Sequence, residues 1–121
     1  MKANTILISL FAAFLLLGWP LVSMAHVHVE RSRPADGETL AHGPKAVEVW
    51  FSGKVSDEWS KIKVTDADGN RVDTGDISNG DDPDHLSAAL KPLGSGRYSV
   101  ELNVVSGDGH RVKGHFSFTV Q

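Results

Sequence analysis

Two segments of this chain carry histidines whose spacing suits metal binding. The first is His26-Val27-His28 near the N-terminus, and the second is Ser106-Gly107-Asp108-Gly109-His110. Imidazole nitrogens and carboxylate oxygens are borderline and hard donors, and a tetragonal set of them favours copper(II). Asp108 and His110 are two residues apart, so an extended segment projects both to the same side. If the two segments meet in the fold, we predict a copper(II) site formed by His26, Asp108 and His110.

The donor capacity of His26 depends on where the mature chain begins. Residues 1–25 contain one basic residue, an apolar run and small residues at Ser23 and Ala25, a pattern typical of a secretory signal peptide. Cleavage after Ala25 would leave a mature domain, residues 26–121, that starts at His26. Its free α-amine and its ring nitrogen would close a chelate ring, because a strongly binding cation can displace the amine proton near neutral pH.

His28 leaves a second arrangement open. An amine-x-His terminus binds copper(II) through the amine, deprotonated amides and the imidazole of the third residue, and this mode competes for the same amine. Alternation puts His28 on the same strand face as His26, so the alternative is that it flanks the metal or supports the site. Each histidine segment, taken alone, is also compatible with an ordinary exposed turn, since Asp-Gly is a common turn dipeptide.

The remaining histidines are expected to have no direct part in metal binding. His115 alternates against Phe116 and Phe118, which predicts a structural or exposed position on the opposite sheet face. His42 and His85 lie beside turns and are expected to be solvent-exposed.

Composition excludes several classes of protein. A length of 121 residues suits one domain, and the lack of cysteine excludes disulfide scaffolds, thiolate metal sites and cysteine nucleophiles. The formal charge of −3 becomes −4 once Lys2 leaves with the leader, and no basic patch stands out along the sequence. We therefore expect no nucleic-acid partner. After signal cleavage no apolar stretch is long enough to span a bilayer, so we expect no membrane insertion.

Strands must position the histidines, because the dominant hydrophobic period is two. Alternation marks the segments 26–29, 47–51, 61–65, 97–104 and 112–120, and Gly, Pro and Asp turns separate them. About seven short strands in this length predict an all-β sandwich with Greek-key connections. The large aromatic side chains are expected in its core, namely Trp50, Phe51, Trp59, Tyr98, Phe116 and Phe118. The acid-rich segment 73–84 is expected to be a solvated loop, since it lacks the ligand spacing of a calcium loop.

The motifs of this chain resemble those of the CopC/PcoC family of periplasmic copper-binding proteins. They occur in order along nearly all of the mature domain: His26-Val27-His28, Ser32–Gly37, Val49–Ser52, Val64–Gly69, Gly96–Val100, Val104–His110 and Gly114–Val120. The resemblance implies an immunoglobulin-like β-sandwich. It also implies copper(II) held by the amino terminus and His26, with Asp108 and His110 completing the site.

One departure from the family narrows the metal prediction. Some members carry a second, methionine-rich site for copper(I), and soft thioether ligands are what select that ion. Met1 and Met24 are the only methionines, and both leave with the leader. We therefore predict one copper(II) site and no copper(I) site.

The resemblance implies a periplasmic, non-enzymatic protein of copper tolerance, sequestration or delivery. Relatives act beside a CopD-type inner-membrane copper transporter, which makes such a transporter the expected partner. Two alternatives stay open. A small histidine-brace copper oxidase or monooxygenase also uses an N-terminal histidine on a β-sandwich. A sandwich can equally be an interaction module that binds no metal, because fold alone does not assign function.

Overall fold

The computed structural model describes Gly18 and residues 26–121. The predicted signal peptide, residues 1–25, otherwise lies outside the described residues. Eight strands follow in order: β1 Val29–Arg33, β2 Thr39–Leu40, β3 Ala46–Phe51, β4 Val55–Thr65, β5 Asp73–Ser78, β6 His85–Leu90, β7 Gly96–Ser106 and β8 Arg111–Val120. Within this part of the chain, no helix is long and apolar enough to cross a membrane.

The strands form two four-stranded sheets that face each other. One sheet has the order β1-β3-β6-β5 and the other the order β2-β8-β7-β4. Neighbours are antiparallel except β2 and β8, which pair in parallel. This arrangement confirms the predicted all-β sandwich with Greek-key-like connections. The strand count is eight instead of about seven, because the two-residue strand β2 carries too little alternation to be seen in the sequence.

The core lies between the sheets and follows from the alternation of side chains along each strand. In β3, Val47 and Val49 are fully buried, and in β7 the same holds for Val100 and Val104. Burying such a side chain contributes about 1.5 to 3 kcal/mol. Tyr98 stacks on Phe118 with ring centroids 5.3 Å apart, and its hydroxyl donates to the Gly94 carbonyl at 2.7 Å.

The acid-rich segment 73–84 differs from the expected loop. Its first half is strand β5, and Asp73 is buried with its side chain 1% exposed. The Asp73 carboxylate accepts hydrogen bonds from the Val64 amide at 2.9 Å and from Nε and Nη2 of Arg71 at 3.0 and 2.7 Å. The bond from Val64 joins β5 to β4 and therefore links the edges of the two sheets, while Arg71 neutralises the buried charge. The acids of the turn after β5, Asp81 and Asp82, are exposed as expected.

The expected burial of the tryptophans and the expected exposure of His85 are also wrong. Both depend on which side of a sheet the residue occupies. Neither tryptophan is in the core: Trp59 is 67% exposed on β4, and Trp50 is only half-buried, on the side of β3 opposite Val49 and Phe51. His85 is not exposed: its side chain is 13% exposed, 3.3 Å from the Glu48 carboxylate, and its ring packs 4.8 Å from the Trp50 ring. Pairing between β3 and β6 puts Trp50 opposite His85, a contact that local turn chemistry cannot reveal.

Candidate metal centre

A tight turn between β7 and β8 carries Asp108 and His110. Val105 pairs with Arg111 at its base, and the amide of Ser106 donates to the His110 carbonyl at 2.8 Å. The Gly109 amide donates to the Ser106 carbonyl at 2.9 Å, and Gly109 has a φ of 87°, which favours glycine at this position. The two strands therefore hold the turn in one conformation. Asp108 and His110 are both exposed at its tip.

The Asp108 carboxylate is surrounded by donors from its own turn. The buried Ser106 hydroxyl donates to its Oδ1 atom, and Nδ1 of His110 lies 3.0 Å from its Oδ2 atom. The hydrogen bond from Ser106, followed by that from the His110 ring, lowers the pKa of Asp108 to about 2. Asp108 is therefore a carboxylate anion throughout the neutral range.

The contact with Asp108 also orients the His110 ring. A neutral imidazole that donates from Nδ1 to a carboxylate has its Nε2 lone pair free, and metal-ligating histidines commonly have such a partner. The His110 side chain is 53% exposed, so this nitrogen is accessible to an incoming ion.

The N-terminal segment lies against the end of the sandwich. Val27 is partly buried against the core, close enough to Gly53 that a Cβ there would meet Val27 Cγ2 at 3.2 Å. The His28 amide donates to the Ser52 hydroxyl at 3.0 Å, and the Ser52 amide donates to the His28 carbonyl at 2.9 Å. These contacts fix the segment before β1 begins at Val29. The expectation of a strand from residue 26 is thus met only from Val29 onwards.

The two predicted histidine segments meet. The rings of His26 and His110 are 5.7 Å apart between centroids, edge to face with an interplanar angle of 79°. Both side chains are exposed, as is that of His28. Two residues far apart in the sequence thus bring their imidazoles within a few ångströms. This proximity could not be read from either segment alone.

The donors are neighbours but not a preassembled shell. Among the residues the structure describes, no group of three or more His, Asp or Glu side chains is close enough to hold a metal ion. Of the other histidines, His42 and His115 are exposed as expected. Sequence reasoning missed Ser106 and Ser52, which support Asp108 and the N-terminal segment. A serine two residues before Asp108 was the available signal, since hydroxyls at this spacing often bond within turns.

Comparison with known proteins agrees with this fold. The sequence profile of the CopC domain matches residues 29–121, starting three residues after His26. The copper transport protein CutJ of Bacillus subtilis is 35% identical over 124 residues, which cover 99% of this chain and 22% of CutJ. Copper resistance protein C of Pseudomonas syringae pv. tomato is 30% identical, with 98% of this chain and 97% of that protein covered.

A solved structure gives the same assignment in three dimensions. The crystal structure of CopC from Methylosinus trichosporium OB3b superposes with a TM-score of 0.71 at 32% sequence identity. The match covers 79% of this chain and 94% of that one. The chain spans only about a fifth of CutJ, so that relative bears on this domain alone. Together, the profile, the relatives and the shared sandwich show that this chain belongs to the CopC family, among whose named members are copper resistance and copper transport proteins.

Proposed function

We propose that this protein binds one copper(II) ion through the α-amine and ring of His26, with His110 and Asp108 completing the site. The observation that carries the proposal is the 5.7 Å separation between the His26 and His110 rings at the exposed end of the sandwich. Two imidazoles, an amine and a carboxylate form a donor set that suits tetragonal copper(II). Asp108 is already anionic at neutral pH, so it needs to lose no proton on binding.

The proposal requires the chain to be processed after Ala25. Only then does His26 carry a free α-amine next to its ring. We propose that residues 1–25 are a cleaved signal peptide, that residues 26–121 are the copper-binding domain and that this domain acts in the periplasm. The docking of Val27 supports this division, because it holds the new N-terminus beside the Asp108 turn.

Asp108 has two possible roles within this site, and both depend on its carboxylate. It can donate an oxygen to copper(II), or it can orient His110 so that Nε2 faces the ion. The 3.0 Å contact between Asp108 Oδ2 and His110 Nδ1 supports the orienting role in the protein before it binds copper. If Asp108 Oδ2 leaves His110 Nδ1 and binds copper(II) instead, Asp108 becomes a direct ligand.

His28 is better explained as a residue beside the site than as a ligand of the amine-x-His kind. That alternative needs the backbone nitrogen of His28 as a deprotonated ligand. Here the same nitrogen donates to Ser52 Oγ at 3.0 Å, so the alternative would have to break this bond. The exposed His28 ring remains close enough along the chain to flank the ion.

We propose a carrier that sequesters copper or delivers it, and not an enzyme. His110 and Asp108 are both more than half exposed, so a partner can reach the ion. The names of the relatives, copper transport protein and copper resistance protein, support handling of the ion as cargo. A CopD-type inner-membrane copper transporter is the proposed partner.

A copper(II) titration followed by electron paramagnetic resonance tests the proposal. The chain starting at His26 should bind one equivalent tightly and show nitrogen hyperfine structure. A chain with one extra residue before His26 lacks the α-amine next to the ring, and its affinity should fall by orders of magnitude. His42→Ala is the matched histidine control, because His42 is exposed in a turn outside the site. Equal affinity of the extended and mature chains would overturn the amine-anchored site.

A further inference from the structure

We propose that the outer face of the sheet β2-β8-β7-β4 docks on an anionic membrane surface. This surface is called the basic face below. Its side chains come from three neighbouring strands, and it consists of Trp59, Lys61, Lys63, Glu101, Arg111, Lys113 and His115, all of which are exposed. Four of them are cations and one is a carboxylate, in a chain whose formal net charge is −3.

Strand register gathers these charges. Lys63 lies opposite Glu101, which lies opposite His115. In the next row towards the metal-binding turn, Asn103 lies between Lys61 and Lys113. Neighbouring strands are about 4.8 Å apart, so residues on adjacent strands form one continuous charged patch. Glu101, the one carboxylate among these residues, lies between Lys63 and His115. The four Lys and Arg side chains therefore give the basic face a net positive charge.

Trp59 adds an amphipathic ring to the same face. From Trp59 to Val64 burial along β4 alternates, with Ser60 and Ile62 buried and Trp59 and Lys61 exposed, whereas the irregular stretch before Trp59 also exposes Asp57 and Glu58. The Trp59 side chain is 67% exposed, unlike the half-buried Trp50. Indole rings next to lysines are characteristic of the boundary between lipid headgroups and water.

The cations of the basic face are mostly lysines without partners among the described residues, which favours a lipid surface over an acidic protein as the binding partner. Within residues 26–121, the ammonium groups of Lys61, Lys63 and Lys113 form no hydrogen bond or ion pair. They are mobile point charges on long stems, which suits a diffuse layer of anionic headgroups. A protein partner is typically anchored by buried, preorganised aromatic and arginine side chains at the centre of a patch. The two arginines on the outer side of β7 and β8 are instead held by neighbouring side chains, Arg111 by Asn103 at 3.0 Å and Arg97 by Ser117 at 3.2 Å.

The basic face is continuous with the metal-binding turn. Arg111 directly follows His110 and pairs with Val105 in the last row before the turn. Docking by this face would hold the turn near the bilayer, where a membrane transporter could receive the ion. That consequence rests on the proposed copper function, but docking itself does not.

Vesicle sedimentation without copper tests the proposal, so its result is independent of the copper site. The chain starting at His26 is suitable, because both sheets and the core lie within residues 26–121 and the matched crystal structure is of that domain. We expect it to bind vesicles made of equal parts phosphatidylglycerol and phosphatidylcholine at low salt. Binding should vanish at high salt and with pure phosphatidylcholine, because screening shortens the range of the attraction.

Paired variants separate the basic face from net charge. Lys61→Gln/Lys113→Gln should weaken vesicle binding about 20- to 30-fold, at about fivefold per charge. Lys45→Gln/Lys91→Gln has the same net charge but changes exposed lysines outside the face, and it should bind almost as the parent does. Equal weakening by both pairs would overturn the proposal.

Trp59 emission gives a second readout. Trp50→Phe leaves Trp59 as the sole tryptophan of the mature chain, and its emission should shift to the blue on anionic vesicles. Unchanged emission would overturn the docking orientation. Binding to polyglutamate without binding to vesicles would overturn the lipid assignment in favour of an acidic protein surface.

Discussion

Nδ1 of His110 lies 3.0 Å from Oδ2 of Asp108, while the other carboxylate oxygen accepts the Ser106 hydroxyl hydrogen bond. The three residues, Ser106, Asp108 and His110, are alternate positions of a single turn, and each contacts the next. Ser106 is buried, Asp108 is anionic, and His110 presents its free nitrogen to solvent. The turn is thus organised before any ion arrives, and the N-terminal segment brings His26 to it.

Asp108→Asn should weaken copper(II) binding about 10- to 100-fold, the usual cost of losing a partner of a metal-ligating histidine. The amide keeps the shape of the side chain but loses the charge that holds His110 Nδ1. A competition titration against a chelator of known affinity measures the change. Asp68→Asn, an exposed aspartate in the turn after β4 and at the opposite end of that strand from Ser106, is the matched control and should bind as the parent does. Equal affinity of the two variants would remove Asp108 from the site.

Ser106→Ala should destabilise the fold by about 1 to 2 kcal/mol, because the buried hydroxyl bonds within the turn and its loss leaves those partners unpaired. Urea denaturation measures this free energy of unfolding. The same variant should also bind copper(II) several-fold more weakly, since Asp108 loses the donor that orients it. Ser95→Ala, exposed in the turn before β7, controls for the substitution itself. A Ser106 variant as stable as this control would show that the turn does not depend on the hydroxyl.

Asp73→Asn should reduce stability at neutral pH by about 1.5 to 3 kcal/mol, the range for hydrogen bonds to a charged group. Burial opposes ionisation of Asp73, but hydrogen bonds from Arg71 and the Val64 amide outweigh it and lower the pKa. A lowered pKa in the folded state means that this stability is present above the unfolded pKa of about 3.9. It is lost as the pH falls through the folded value.

Urea denaturation of the parent and of Asp73→Asn, repeated from neutral pH into acid, tests this predicted loss of stability at low pH. The two stability curves should start to converge as the pH falls below the unfolded pKa of about 3.9, where the unfolded chain takes up a proton first, and should meet only below the lowered pKa of folded Asp73. Asp76→Asn changes an exposed aspartate of the same strand and should leave the curve unchanged. Curves that stay parallel into acid would show that the Asp73 charge contributes nothing.

The local pattern is enough to predict the sandwich and to nominate candidate donors for the site. Period-two alternation identified the main strands, and residue chemistry pointed to His26, Asp108 and His110. What it could not supply was cross-strand register. The contact of Trp50 with His85 and the hydrogen bond from the Val64 amide to the buried Asp73 carboxylate join residues on different strands, so neither has a local signal.

The basic face also depends on cross-strand register, so the sequence alone does not predict it. Its cations alternate with apolar residues on β4 and β8, so no run of basic residues occurs along the chain. Only the pairing of β4 and β8 with β7 brings them together. The residue type of Trp59 favours burial in the core, whereas the irregular register between Ser56 and Lys61 leaves it exposed.

The pH dependence of copper(II) affinity should come from the nitrogen donors and not from Asp108. The pKa of Asp108 is lowered to about 2 by the hydrogen bonds from Ser106 and then His110, so its charge is constant between pH 5 and pH 8. Protons compete over that range for the amine and the imidazoles, and the affinity of the parent should fall steadily as the pH falls.

Asp108→Asn should bind more weakly at every pH but follow the same slope. His110→Ala should instead show a shallower slope, because one competing nitrogen is gone. A flat profile for the parent from pH 8 to pH 5 would contradict nitrogen ligation, and a slope that changes in Asp108→Asn would show that this carboxylate takes up a proton in the neutral range.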